Sequence, residues 1–320
     1  MKEILFIILG FVLLIKGADF LVDGASNIAK RFHIPEIVIG LTIVSIGTSM
    51  PELFVSTTSA LQGSADMSIG NIIGSNICNL LLILGLSAAI SPVKFQKSTK
   101  AIEIPMCFGI TVVFMLLSNL GKTLDIVDAI ILLVLFVGFI AYTMYVAKKG
   151  LAEAAETAEA AEETEEAPKK GAMLKNILWV ILGIVGLKIG GDWTVNNAVV
   201  IAEKVGLSEK VIGLTILAIG TSLPELVTSV MAAIKGNDDI AIGNIIGSNI
   251  FNMLMIIGVT AFITPLAYNV SYNIQLYILL FALVLLEVFA FTKPKNQMNR
   301  FNGIIYVGLY ALYMVLLFVM

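Results

Sequence analysis

Residues 19–92 recur as residues 192–265 at a fixed offset of 173, without a gap. The offset pairs Asp19 with Asp192, Glu36 with Glu209, Gly40 with Gly213, Glu52 with Glu225, Asn71 with Asn244, Ser75 with Ser248, Asn79 with Asn252 and Pro92 with Pro265. From Ile69 to Asn79 only Cys78, set against Phe251, breaks the identity with Ile242 to Asn252. The two copies must therefore fold as the same structural unit. Each carries a carboxylate beside a proline, as Gly47-Thr48-Ser49-Met50-Pro51-Glu52 and Gly220-Thr221-Ser222-Leu223-Pro224-Glu225.

Both copies lie in apolar surroundings. The chain is 58% hydrophobic and only 13% charged, with a mean hydropathy of +0.97, whereas soluble domains carry about 25% charged residues. A helix of about 20 apolar residues crosses a bilayer core of about 30 Å. Five such stretches fall in each half, at 3–30, 36–62, 67–91, 101–119 and 125–147, then 173–202, 209–234, 240–264, 271–292 and 301–319. The run from Ile4 to Ile15 lacks a small-residue cleavage site and continues through Asp19, so it reads as the first span and not as a leader.

An odd number of spans per repeat makes the second copy enter the membrane from the opposite side. The expected fold is an all-α polytopic membrane protein of ten transmembrane helices, arranged as two inverted five-helix repeats with broken helices at the midplane. Residues 1–147 form the first repeat, 148–172 an acidic linker and 173–320 the second repeat; the motifs lie in 36–91 and 209–264.

Cytoplasmic loops are rich in Lys and Arg. Placing both termini outside puts Lys30, Arg31, Lys94, Lys97, Lys100, Lys148 and Lys149 within the cell, together with Lys169, Lys170, Lys175, Lys235, Lys293, Lys295 and Arg300. Only Lys2, Lys122, Lys204 and Lys210 are then left outside. The linker, acidic from Glu153 to Glu166, is cytoplasmic in this arrangement, and it has neither the spacing nor the glycine turn of an EF-hand.

Proline lacks an N–H and clashes with the preceding turn, so a helix should break before Pro51 and Pro224 and restart there. The carbonyls freed around Ser45 to Thr48, and around Ala218 to Thr221, then need partners in a medium without water. A cation supplies one. Thr48, Ser49, Thr221 and Ser222 add hydroxyls, and Glu52 and Glu225 add charge. Ionisable groups at such depth usually mark an ion path.

A second constellation runs from Gly70 to Asn79 and again from Gly243 to Asn252. Asn71, Ser75 and Asn79 share one helical face at i, i+4 and i+8, as do Asn244, Ser248 and Asn252. Ser75, Ser248, Asn79 and Asn252 read as neutral ion contacts. Asn71, Asn76, Asn244 and Asn249 read as interhelical hydrogen-bonding residues, and the paired glycines as close-packing positions. Asp19 and Asp192 read as polar contacts between helices or water-facing groups. Lys16, Lys188, Glu103 and Glu287 have no charged repeat-mate and read as interfacial or snorkelling. Cys78 and Cys107 read as buried packing residues, and His33, the one histidine, as a solvated residue past the first span.

The paired Gly-Thr-Ser-x-Pro-Glu segments, each followed by Gly-Asn-Ile-Ile-Gly-Ser-Asn-Ile-x-Asn, resemble the two alpha repeats of the sodium/calcium exchanger family, part of the cation/Ca²⁺ antiporter superfamily; the chain looks like a prokaryotic member. The resemblance implies that Glu52, Glu225 and the carbonyls of Thr48 and Thr221 hold Ca²⁺. It implies that Na⁺ uses the same two Glu with Ser49, Ser222, Ser75, Ser248 and the carbonyls of Ser45 and Ala218, and that Asn79 and Asn252 flank the central site. Some members, notably K⁺-dependent ones, carry Asp where this chain has Asn252, which favours plain Na⁺/Ca²⁺ exchange.

The expected activity is thus secondary antiport by alternating access, with Na⁺ and Ca²⁺ competing for shared oxygens. The substrates are the two ions; no cofactor, enzymatic activity or nucleic-acid partner is expected, and a monomer suffices. A Ca²⁺/H⁺ antiporter on the same fold is the alternative, although protons have no need of the four serine hydroxyls. The repeat argues against a channel. Neither a Ser/His pair nor a paired-Asp or zinc motif supports an intramembrane hydrolase.

Overall fold

In lipid a backbone must satisfy its own polar groups, which helices do within one segment. The computed structural model, which describes residues 2–161, 172–206, 218–292 and 294–319, is accordingly almost wholly helical. In chain order the helices are α1 (Lys2–Arg31), α2 (Glu36–Thr48), α3 (Met50–Leu61), α4 (Ala65–Ile90), α5 (Thr99–Gly121) and α6 (Ile126–Ala161). Then follow α7 (Ala172–Lys204), α8 (Ala218–Thr221), α9 (Leu223–Ile234), α10 (Asp238–Ile263), α11 (Val270–Phe291) and α12 (Arg300–Val319).

Among the described residues eight helices are long and apolar enough to cross a membrane, or nine if α2 and α3, bent by 47° where they meet, make one broken span. These match nine of the expected spans to within a few residues at most ends. The expected span 209–234 is described only from Ala218 onward, as α8 and the apolar α9; Glu209 and Gly213 lie outside the described residues. α6 overruns its expected end at 147 and carries the first part of the expected linker, to Ala161. The Ala- and Glu-rich sequence there has high helix propensity and no proline before Pro168. Residues 162–171 of the linker lie outside the described residues.

Two features position the interior. First, α1 and α7 run antiparallel along a seam of glycines spaced seven apart. Gly10 faces Gly190, Gly17 faces Gly183 and Leu187, and Gly24 faces Asn176 and Val180. A Cβ on Gly17 would lie 2.8 Å from the Leu187 nitrogen. Small residues are what allow two backbones to approach this closely where no hydrophobic effect drives helices together. Second, α4 and α10 form the centre. They are 78% and 83% buried over their apolar windows, against 22–39% for the other long helices. Gly243 and Gly247 of α10 let it press on α2, where a Cβ at Gly247 would meet the Leu41 Cα at 2.8 Å.

Neither the π-helical turns nor the strands were expected from the sequence. π-turns interrupt α2 at Gly40–Val44, α4 at Cys78–Leu84 and α10 at Asn252–Ile256, and another opens α5 at Thr99–Glu103. Two antiparallel two-residue ladders clip the loops: β1 (Val93–Lys94) with β4 (Gln297–Met298), and β2 (Thr123–Leu124) with β3 (Leu266–Ala267).

The seam is directly testable. Gly17→Leu should cost about 1–3 kcal/mol through overpacking and lower the unfolding temperature of the detergent-solubilised protein. Gly138→Leu, where an added Cβ meets nothing within 4 Å, should leave that temperature close to the parent's.

Candidate cation site

The helix breaks at Ser49 (φ −84°, ψ 9°) and at Ser222 (φ −88°, ψ 7°), two residues before each proline. Pro51 and Pro224 then occupy the first turn of α3 and α9, where a missing N–H costs nothing. Pro51 withholds a partner from the Gly47 carbonyl. The Ser45 carbonyl, expected to be freed, instead accepts from the Ser49 N–H at 3.0 Å, because the chain keeps one more helical turn before it bends. Glu52 and Glu225 sit in these first turns, where the positive end of the helix dipole favours an anion.

Each carboxylate is 1% exposed. Hydrogen bonds cross between the repeats. Ser49 Oγ donates to Glu225 Oε1 at 3.0 Å, and its repeat-mate Ser222 donates to Glu52 Oε1 at 3.4 Å. Ser75 Oγ also donates to Glu52 Oε1, at 3.4 Å. Thr48 donates to Asn244 Oδ1 at 3.0 Å, and Thr221 to Asn71 Oδ1 at 3.5 Å. The amide nitrogens of those two asparagines are used as well, by Ser229 at 2.9 Å and Ser56 at 3.0 Å. Asn71 and Asn244 are therefore interhelical hydrogen-bonding residues, and Ser56 and Ser229 are supports that the sequence reading did not single out. They recur at the same offset and could have been found by it.

Several polar atoms of the candidate residues stay unpaired. Glu52 Oε2, Glu225 Oε2, Asn79 Oδ1, Asn252 Oδ1 and Ser248 Oγ are buried without a hydrogen-bond partner. A lost partner for a buried polar atom costs about 1–3 kcal/mol, and more for a charged one. Among the described residues no Lys or Arg forms an ion pair with either carboxylate. Nor do three of His, Cys, Asp and Glu come together among them. A cation held here has two carboxylates supplemented by amide, hydroxyl and backbone oxygens, the oxygen-rich donor set that suits hard ions. Asn79 and Asn252 lie within π-turns, which often accompany functional sites. Ser45 Oγ is turned back onto the Leu41 carbonyl at 2.8 Å. Ala218 opens α8, at the start of the described part of its segment.

The two sides of the site differ. Thr48 and Asn244 are fully buried, whereas their mates Thr221 and Asn71 are half-buried. A crevice of about 150 Å³ reaches Thr221 and Pro224 between Pro51, Phe54 and Val55 of α3 and Asp192 and Val195 of α7. Asp192 there pairs with Lys188 of its own helix at 2.8 Å. At the repeat-related place Lys235 holds both Asp19, at 2.5 Å, and Asp23, at 2.6 Å, tying the end of α9 to α1. Lys235 has Gln62 as its repeat-mate, so this tie has no equivalent on the crevice side.

Glu103 corrects one expectation. It does not snorkel but is fully buried, with Oε1 accepting from the Tyr142 hydroxyl and Oε2 unpaired. The π-turn that ends at Glu103 carries it into the interior. Lys16 is exposed and Glu287 half-buried, Cys78 and Cys107 are free and buried, and His33 is exposed.

Comparison with known proteins places these features in one family. The model for the family described as sodium/calcium exchanger protein matches residues 2–145 and 175–319. The putative antiporter CaxA of Alkalimonas amylolytica is 37% identical over 98% of both chains. The sodium/calcium exchanger MaX1 of Methanosarcina acetivorans is 34% identical, again over 98% of each. A solved structure of the sodium-calcium exchanger NCX_Mj superposes with a TM-score of 0.84 at 31% identity, covering 98% of both chains.

Proposed function

Because this chain belongs to the sodium/calcium exchanger family, a family of multi-pass membrane antiporters and not of enzymes, we propose that it exchanges Na⁺ for Ca²⁺ at the site built around Glu52 and Glu225. The observation that carries this reading is the pair of buried carboxylates, each with one oxygen unpaired and no basic partner among the described residues. Two such anions cannot stay charged and unneutralised in a low-dielectric interior at low cost. They are neutralised by Ca²⁺, by Na⁺ or by protons, and loading one ion expels another. That requirement makes exchange obligatory.

Ca²⁺ takes about 6–8 oxygens at about 2.3–2.6 Å. The two Glu and the carbonyls of Thr48 and Thr221 are its proposed ligands, flanked by Asn79 and Asn252. Na⁺ takes the same Glu residues with Ser49, Ser222, Ser75, Ser248 and the carbonyls of Ser45 and Ala218. The Ser45 carbonyl already accepts from the Ser49 N–H, so Na⁺ there would use the second lone pair of that oxygen. Three serine hydroxyls on the two carboxylates, with Ser248 Oγ left unpaired, favour Na⁺ over protons as the counter-ion.

The proposed frame is ten spans in two inverted repeats, 1–147 and 173–320, with both termini outside and linker 148–172 in the cytoplasm. The antiparallel packing of α1 on α7 supports the inversion. The crevice beside Asp192 is then the outer route, and the Lys235 tie closes the inner one. Alternating access moves α1 and α7 along the core. Each net positive charge entering is worth about 2.3 kcal/mol per 100 mV, which helps Ca²⁺ leave the cell.

Two experiments test this. Glu52→Gln and Glu225→Gln should each abolish Na⁺-dependent Ca²⁺ flux in proteoliposomes, yet melt above the parent protein in ion-free buffer, since an uncompensated buried charge is gone. Retained flux in either variant sinks the site assignment. Access is read with Val22→Cys and its repeat-mate Val195→Cys in a background lacking Cys78 and Cys107. A membrane-impermeant thiol reagent should modify Val195→Cys and spare Val22→Cys, and adding Lys235→Gln should expose the latter. Equal reactivity of Val22→Cys with and without Lys235 contradicts the closure.

A further inference from the structure

Asn76 and Asn249 are hydrogen-bonded to Asn252 and Asn79, the two asparagines proposed above to flank the carboxylates. Asn76 Nδ2 donates to the Asn249 carbonyl at 3.1 Å, and Asn249 Nδ2 donates to the Asn76 carbonyl at 3.2 Å. A backbone carbonyl only accepts, so each of these amides must turn its nitrogen toward it. Their oxygens are left to face outward from the pair. Asn249 Oδ1 accepts from Asn79 Nδ2 at 3.1 Å, and Asn76 Oδ1 from Asn252 Nδ2 at 2.9 Å. Asn79 and Asn252 thereby have their nitrogens occupied, and their oxygens are the ones left buried and unpaired. One carbonyl of each repeat thus fixes one amide oxygen of each repeat, with no free choice of flip.

We propose that Asn76 and Asn249 are positioning residues that hold the amides of Asn252 and Asn79 with oxygen, and not nitrogen, directed at the transported cation. The inference rests on the reading of Glu52 and Glu225 as the cation site and adds what sets the polarity of its neutral ligands. A free amide is equally able to present two N–H dipoles, which repel a cation; the tetrad removes that orientation. It also favours a neutral amide at positions 79 and 252, because an ionised carboxylate there would set oxygen against the oxygen of Asn249 or Asn76. The charge of the cluster is thus kept at the two glutamates.

The test is a double-mutant cycle on equilibrium Ca²⁺ binding, measured with radiolabelled Ca²⁺ on the full chain in lipid nanodiscs, with Na⁺ competition alongside. Asn249→Ala should weaken Ca²⁺ binding by about tenfold, the scale of one hydrogen bond or ion–dipole contact to a charged group. In an Asn79→Ala background the same change should matter less than about twofold, because Asn249 acts through Asn79. Asn76→Ala should behave likewise with Asn252→Ala. Asn249→Asp, which retains the acceptor for Asn79 but loses the donor to the Asn76 carbonyl, should lower thermal stability without weakening Ca²⁺ binding. It also keeps the test decisive where the alanine variant fails to assemble.

Equal losses in both backgrounds, or weakened binding in Asn249→Asp, would overturn the positioning role while leaving the site reading intact. Absence of Na⁺-competed Ca²⁺ binding in the parent protein would instead overturn the site reading, and this inference with it.

Discussion

Two buried carboxylates that have no basic partner among the described residues are the constraint around which this molecule is arranged. An uncompensated buried charge costs several kcal/mol, so the fold must soften that cost without cancelling it. It does so by modest means. Each glutamate starts a helix, where the dipole favours an anion, and each accepts a serine hydroxyl from the opposite repeat. None of these neutralises the charge. Tying Glu52 or Glu225 to a lysine would remove that cost, and among the described residues no such tie exists.

The same logic explains why the break must come where it does. A continuous helix would bury its carbonyls in their own ladder and leave the carboxylate alone. A proline two residues after the break removes one N–H, lets the chain bend by 47° and directs the new helix start at the site. Close packing then does the rest. Gly243 and Gly247 bring α10 against α2, which places the serines and asparagines of one repeat within hydrogen-bond reach of the other's glutamate and threonine. The α1–α7 pair, joined along its own glycine seam, lies outside this core and is held to it unequally on the two sides. Lys235 ties it on one side, and a crevice separates it on the other.

Much of this was legible in the residues because the repeat makes the argument twice. The spans, the interruption near each proline and the pairing of Glu52 with Glu225 follow from apolar length, proline chemistry and a constant offset of 173. The bonding of Asn71 and Asn244 to other helices followed from their polarity at helical spacing. Other features were not legible. The π-turns depend on i→i+5 bonding that no local propensity signals, and they carried Glu103 inside against expectation. Ser56 and Ser229 recur at the offset, but that they bond Asn71 and Asn244 needs the tertiary contact. The difference between the two sides rests on Lys235 facing two aspartates where its repeat-mate is Gln62, and its meaning needs the tertiary contact. That Ser45 keeps its carbonyl bonded also needs the coordinates, since proline alone does not say how many turns survive ahead of it.

If buried anions at one shared site force Na⁺ and Ca²⁺ to exchange, Ca²⁺ movement must depend on Na⁺. The most direct measurement is radiolabelled Ca²⁺ uptake into proteoliposomes loaded with Na⁺ and diluted into Na⁺-free buffer, beside K⁺-loaded and acid-loaded vesicles. Uptake that requires internal Na⁺, and that is absent from the K⁺-loaded and acid-loaded vesicles, is the result this account predicts. Uptake that follows the proton gradient and ignores Na⁺ would contradict it, and would make the two glutamates proton carriers of a Ca²⁺/H⁺ antiporter.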